Sequence, residues 1–268
     1  MSLQSLGKPI AQGLTAEVYV WDETRILKLF REGRSPEQVA REAHIARMVH
    51  SAGLPVPAVG EIVEVDGRRG LIYERVDGLS MTDSISRRPW TASRSARRWA
   101  ELHADMHARG AMQELPSQRE DLANHIQAAR ILPADSQRAA LWALDTMPDD
   151  DRLCHGDFWP GNILMSSRGP IIIDWIDATR GDPLADVARS SVLLLGALAS
   201  TQFSWLQKAI IWRVHATYLR RYFQLRPGGQ AQCKAWQPIV AAARLSENVP
   251  GVQTWLLATV EAGLSQSG

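Results

Sequence analysis

Between Cys154 and Met165 the chain reads CHGDFWPGNILM, and shortly afterwards it reads PIIIDWID. NILM and PIII are β-type runs separated by SSRG, a turn composition, so Asn162 to Asp174 reads as a β-hairpin. The residue entering the first strand and the residue leaving the second share the open end of a hairpin, which makes Asn162 and Asp174 neighbours. An amide oxygen beside a carboxylate offers the hard donors that Mg²⁺ accepts while keeping positions for water and phosphate oxygens. Asp157, five residues before Asn162 on a loop too irregular to be a strand, adds an acid that can orient and deprotonate a hydroxyl. Either aspartate alone reads as a turn or cap residue. Their joint spacing favours chemistry.

Such side chains need a scaffold, and the chain changes grammar along its length. EVYVW (17–21) and RILKLF (25–30), joined by the turn-like DET, read as a hairpin. SPEQ at 35–38 supplies an N-cap serine, a proline at the first helical position and a glutamine at the capping-box position, so a helix is expected from there to Gly53. After LPVPAV, the runs GEIVEV and GLIYERV flank the turn DGRRG. Beyond DGLS the chain turns helical, with Thr91 as cap of a helix to Gly110 and further helical stretches over roughly 122–147 and from Leu184 onward. The expected fold is α+β, divided into a sheet lobe at 1–76 and a helical lobe at 77–268.

The 268 residues suffice for a full core, and 45% of them are hydrophobic. The net charge of +1 advertises neither nucleic acid nor an anionic membrane as partner. No obligatory protein partner is evident. Charge is uneven, however: from Val187 onward eight Lys or Arg face two acids, Glu247 and Glu261. Cys154 and Cys233 have no metal-type C-x-x-C spacing and read as free thiols. MSLQSLGKPI lacks the basic and long apolar regions of a signal peptide, and VLLLGALA is too short to span a bilayer, so the expected address is the cytoplasm.

HGDFWPGN resembles the H-G-D-x-x-x-x-N catalytic loop of the aminoglycoside phosphotransferase and choline kinase superfamily, and IIIDWIDATRGDPLADVAR resembles its metal-binding segment and the following helix. The resemblance implies a protein-kinase-like bilobal fold with an ATP site between the lobes, GTP being left open as donor. It implies Asp157 as catalytic base with His155 stabilising the loop, and Asn162 and Asp174 as Mg²⁺ ligands. Lys28 would neutralise phosphates and Glu42 would hold that lysine by an ion pair. Gly13 would lie in the turn covering the phosphates, and main-chain groups from Glu74 to Val76 would meet adenine. The implied reaction moves a γ-phosphoryl group onto a hydroxyl of a small molecule.

Departures bear on the acceptor. IAQGLTAEVYV holds no G-x-G-x-x-G, Trp159 stands where protein kinases acting on Ser or Thr carry lysine, DWID replaces D-F-G, and no A-P-E follows. A small hydroxylated acceptor is therefore favoured over a protein. The basic C-terminal region further suggests a neutral or anionic acceptor over a polycationic aminoglycoside, although acids between Asp83 and Asp151 leave the latter open. A nucleotide-binding pseudokinase and a metal-dependent hydrolase without ATP are the alternatives. Asp182 reads as an N-cap, and Asp186 as either a first-turn acid or, by the resemblance, a brace for the catalytic loop. His103 and His107, at i and i+4, read as a packed or solvated helix face in preference to a zinc site. Trp205, Ala209, Trp212, Ala216, Leu219 and Phe223 follow helical spacing and read as core. Trp159 and Trp175 either wall the acceptor pocket or seal the hairpin.

Overall fold

The computed structural model describes residues 3–13 and 15–264. In chain order the elements are β1 (Ala11–Gln12), β2 (Ala16–Val20), β3 (Arg25–Phe30), α1 (Pro36–Ser51), β4 (Val59–Val65), β5 (Arg68–Glu74), β6 (Gly78–Ser80), α2 (Met81–Arg87), α3 (Ala92–His107), α4 (Gln118–Ala128) and α5 (Ala134–Thr146). They continue with β7 (Arg152–Cys154), β8 (Ile163–Ser166), β9 (Gly169–Ile172), β10 (Thr179–Gly181), α6 (Pro183–Ala199), α7 (Trp205–Leu225), α8 (Gln230–Arg244) and α9 (Gln253–Leu264). Two compact units emerge, one of Met1–Met81 with Gly161–Ile176 and one of Thr82–Pro160 with Asp177–Gly268. The division at 76/77 expected from the sequence puts the second hairpin with the helices. Packing puts it with the sheet, because β8 pairs with β6 and Ile172 N–H donates to Pro55 O at 2.7 Å.

The first unit is built on an antiparallel sheet of order β1-β2-β3-β5-β4. Alternation along β3 turns Leu27 and Leu29 into one core with Tyr19, Val65 and Ile72. The opposite face carries Ala16, Phe30 and Leu71 against Val39 and Ala43 of α1. Ser35 and Gln38 form the full capping box expected at the start of α1.

The second unit is helical, with the short pair β7 and β10 supporting its loops. Three expectations change here. Thr91 makes no side-chain cap; its hydroxyl donates to Arg88 O at 2.7 Å, and a 3₁₀ turn over Pro89–Thr91 precedes α3. The stretch 122–147 is two helices: α4, which starts earlier behind a Ser117 cap, ends at Ala128 where Ala129 leaves helical geometry, and α5 begins after Pro133. On α7 the buried residues are Val214, Tyr218 and Tyr222, while Trp205 and Trp212 are exposed. Helical spacing identifies a stripe, but α7 carries two, and the tyrosine stripe is the one that packs on α3.

Replacing Ser35 with Ala removes the acceptor for Gln38 N–H and should lower the unfolding free energy by about 1 kcal/mol, measured by urea titration. Ser35→Asp, which restores an acceptor, should lose far less.

Candidate active site

In the sheet unit Lys28 lies on the face of β3 opposite Leu27 and Leu29. Its Nζ donates to Glu42 Oε1 at 2.6 Å and to Asp174 Oδ1 at 2.8 Å. Tyr73 OH donates to the same Glu42 oxygen at 3.2 Å, so the buried α1 carboxylate has two partners. Burial alone would push the lysine down; the Asp174 and Glu42 carboxylates outweigh it and hold the ammonium charged, above its ordinary range. Burial, then the Glu42 charge, pushes the Tyr73 phenol up, so it remains a donor.

The hairpin places Asn162 and Asp174 as the spacing predicts. Ile163 pairs with Ile172, and Ile173 N–H donates to Asn162 O at 3.0 Å. Asn162 is buried at the end of a 3₁₀ turn, and Asp174 stands in the left-handed region with φ 66°. That backbone is strained for a residue with a Cβ, by about 1 kcal/mol. It sends the carboxylate to Lys28. Trp175 is buried and donates from its indole N–H to Ile172 O at 3.3 Å, so it packs within the hairpin unit. Trp159 is half-buried.

Gly13 and Glu74–Val76 are the segments expected to meet the nucleotide. Gly13 N–H donates to Ala16 O at 2.9 Å, closing the β1–β2 turn; the adjoining Leu14 lies outside the described residues. Glu74 N–H goes to Ala58 O at 2.9 Å and Arg75 N–H to Thr24 O at 2.7 Å. Within Glu74–Val76 these two N–H groups are thus engaged by the protein's own backbone.

In the helical unit, His155, Gly156 and Asp157 follow β7. Asp186, in the first turn of α6, accepts His155 N–H at 2.7 Å on Oδ2 and Gly156 N–H at 3.0 Å on Oδ1. The Nε2 atoms of His103 and His107 reach the same Oδ2 at 3.1 and 3.3 Å. An ionised carboxylate only accepts, so each Nε2 carries a proton and each Nδ1 accepts from a hydroxyl, Tyr218 for His103 and Tyr222 for His107. The histidines are thus a buried brace, and the nitrogens a metal would need are protonated. Burial works against the Asp186 charge, yet the two histidine hydrogen bonds hold its carboxyl well below the usual range. Burial pushes His103 down to about 3 and lowers His107 as well, so both stay neutral.

Gly156 has φ 78°, and a Cβ there would sit 2.2 Å from Asp177 O, so only glycine fits between the histidine and the aspartate. His155 is buried, and its Nδ1 accepts Asp157 N–H at 3.3 Å. Asp182 caps α6 by accepting Leu184 N–H at 2.8 Å.

Sequence reasoning passed over Arg189, Glu247 and the Asp186 histidine pair as a connected group. Arg189 donates from Nε to Gly156 O at 3.1 Å and from Nη2 to Asp157 Oδ1 at 3.3 Å, while Nη1 meets Glu247 Oε1 at 2.5 Å. Burial alone would lower its pKa, but the Glu247 and Asp157 charges raise it. The signal was its place three residues after Asp186, on the same helix face. The acids of the DDD run are each met by an arginine: Asp149 by Arg119 at 3.7 Å, Asp150 by Arg152 at 3.6 Å and Asp151 by Arg180 at 3.1 Å. A cavity of about 530 Å³ at Pro148–Asp150, Tyr222 and Pro227–Gly229 contains none of the expected site residues.

The sequence profile described as the phosphotransferase enzyme family matches residues 7–204. The chain belongs to that family. Its fold is that of aminoglycoside phosphotransferase APH(4)-Ia, a thermostable apo mutant of which superposes with a TM-score of 0.68 at 18% identity, covering 97% of this chain and 94% of the other. It is also that of a choline/ethanolamine kinase family protein from Mesorhizobium loti, with a TM-score of 0.62 at 18% identity over 96% and 88% of the two chains. Related APH(4)-Ia structures hold ADP or AMP-PNP together with hygromycin B. A curated relative, acyl-CoA dehydrogenase family member 11 of Gallus gallus, is 31% identical over 177 residues, 56% of this chain. The match spans 22% of that protein's length.

Two outcomes test this half of the site. Asp186→Asn turns an amide NH₂ toward N–H donors and should lower stability by about 3 kcal/mol, read by urea unfolding. His215, pushed down to about 4 by burial, behaves like His103 and His107. A group with a depressed folded pKa stabilises fully above its unfolded value, near 6.5, and loses that contribution as pH falls toward the folded value. Between pH 6.5 and 4, His215→Gln should therefore flatten the slope of unfolding free energy against pH by about 1.4 kcal/mol per unit relative to wild type.

Proposed function

We propose that this protein transfers the γ-phosphoryl group of ATP to a hydroxyl of a small neutral or anionic molecule, with Mg²⁺ as cofactor. The observation that carries the reading is Lys28, held between Glu42 and Asp174 by two short ion pairs, with Asp174 in a strained backbone conformation at the hairpin mouth it shares with Asn162. A purely structural ion pair has no need of that strain. The Asn162 amide oxygen and the Asp174 carboxylate are hard donors of the kind Mg²⁺ prefers, and they fit it. Bound there, the metal would neutralise charge on the phosphate oxygens.

The chain's own residues account for the remaining roles. Lys28 presents a fixed positive charge to phosphate, and Glu42 with Tyr73 keeps it from collapsing onto Asp174 alone. The Val76 N–H suits a purine edge. Asp157, kept in orientation by Arg189, accepts the proton of the attacking hydroxyl. A loose phosphoryl-transfer transition state requires positioning and charge stabilisation more than a strong base. His155 and Asp186 fix the loop on which Asp157 stands. The pairing of Asp149, Asp150 and Asp151 with arginines, together with the guanidinium beside Asp157, favours neutral or anionic acceptors over polycations.

ADP release from Mg·ATP across sugars, amino alcohols, hydroxy acids and aminoglycosides tests the reading. Acceptor-dependent release is expected, falling by about 10²–10⁴-fold in Asp157→Asn, with nucleotide affinity retained. Lys28→Ala should weaken nucleotide binding, read by calorimetry. Absence of nucleotide binding in the wild type would overturn the kinase reading, and phosphorylation confined to aminoglycosides would overturn the acceptor class.

A further inference from the structure

The starts of α3 and α7 present a surface unlike the rest of the helical unit. Arg87, Arg88, Arg94, Arg97 and Arg98 are all exposed, and no acid occurs between Ser84 and Ala100. Among the described residues the first four make no ion pair; Arg98 has a link of 3.7 Å to Glu101. In the middle of this run Trp90 is 78% exposed. On the outer face of α7, Trp205 is 76% and Trp212 64% exposed, with Leu206 also in solvent and Lys208 and Arg213 on the flanks. No acid occurs from Val187 to Ser246. Arg213 Nε donates to Ser93 Oγ at 2.8 Å, so the start of α3 lies beside α7 one residue past Trp212.

We propose that this face docks on an anionic lipid surface. Tryptophans with an apolar neighbour, set among Lys and Arg, match the water–hydrocarbon boundary, where indole rings settle at headgroup depth and basic side chains meet lipid phosphates. A second copy of the chain would bring the same positive charges against themselves, which disfavours a dimer through this face. Nucleic acid would share the attraction to charge, but Leu206 and Ala209 extend the Trp205–Trp212 stripe with aliphatic surface that does not stack on bases. The opposite face of α7 is buried through Val214, Tyr218 and Tyr222, so only the outer side chains can enter the interface. Attachment is therefore shallow, and no helix among the described residues is long and apolar enough to cross a membrane. The net charge of +1, which advertised no membrane, averages this basic face with acids elsewhere in the chain.

The test is co-sedimentation of the full chain with vesicles of phosphatidylcholine alone or with added phosphatidylserine, at low and high salt. Partitioning is expected on the anionic vesicles only, weakening at high salt. Arg94→Ala with Arg97→Ala should reduce it by about 25-fold, roughly fivefold for each charge. Trp205→Ala with Trp212→Ala, and separately Trp90→Ala outside both helices, should each reduce it several-fold while the melting temperature and nucleotide binding stay as in wild type. No partitioning, partitioning that the variants retain, or displacement from vesicles by single-stranded RNA would overturn the proposal. So would a tryptophan-dependent dimer without lipid binding. Since nucleotide binding is read in the same samples, a failure of the kinase reading remains distinguishable.

Discussion

The helical unit is organised around one buried negative charge. Asp186 has no access to water, and an ion in that position is tolerable only when its lone pairs are filled. Two main-chain donors come from His155 and Gly156 and two ring donors from His103 and His107, each ring being fixed in turn by a tyrosine on α7. The carboxylate therefore ties the loop bearing Asp157 to three helices at once. Neutral histidines suit this task because their charge would have to be desolvated, whereas their N–H groups stabilise the carboxylate without adding a second buried ion.

In the sheet unit the corresponding constraint is a positive charge. Lys28 projects from a strand whose alternate residues make the core, and its ammonium is compensated by Glu42 from the capped helix and Asp174 from the hairpin. Helix, sheet and hairpin thus meet at one nitrogen. Asp174 takes a left-handed conformation to do so. A charge so compensated remains an ammonium, and Asp174 is the more exposed of its two partners.

Arg189 contributes a third kind of positioning. It binds both the carbonyl of Gly156 and the carboxylate of Asp157, and it is shared with Glu247 from the turn after α8. The orientation of Asp157 therefore depends on a residue far along the chain. The spacing within the H-G-D stretch contains no trace of that dependence.

Much was legible in the sequence because it is local. Capping at Ser35, alternation around Lys28, the hairpin from Asn162 to Asp174 and the N-cap at Asp182 follow from neighbours a few residues apart, where backbone geometry leaves few choices. Tertiary structure decided what depends on distant partners: which stripe of α7 is buried, that His103 and His107 serve Asp186, that the hairpin packs with the sheet, and that the N–H groups of Glu74 and Arg75 are already spent. Periodicity reports that a face exists and a motif reports which chemistry is available. Burial and hydrogen-bond saturation are properties of the whole packed chain, and they assign each face and each donor its partner.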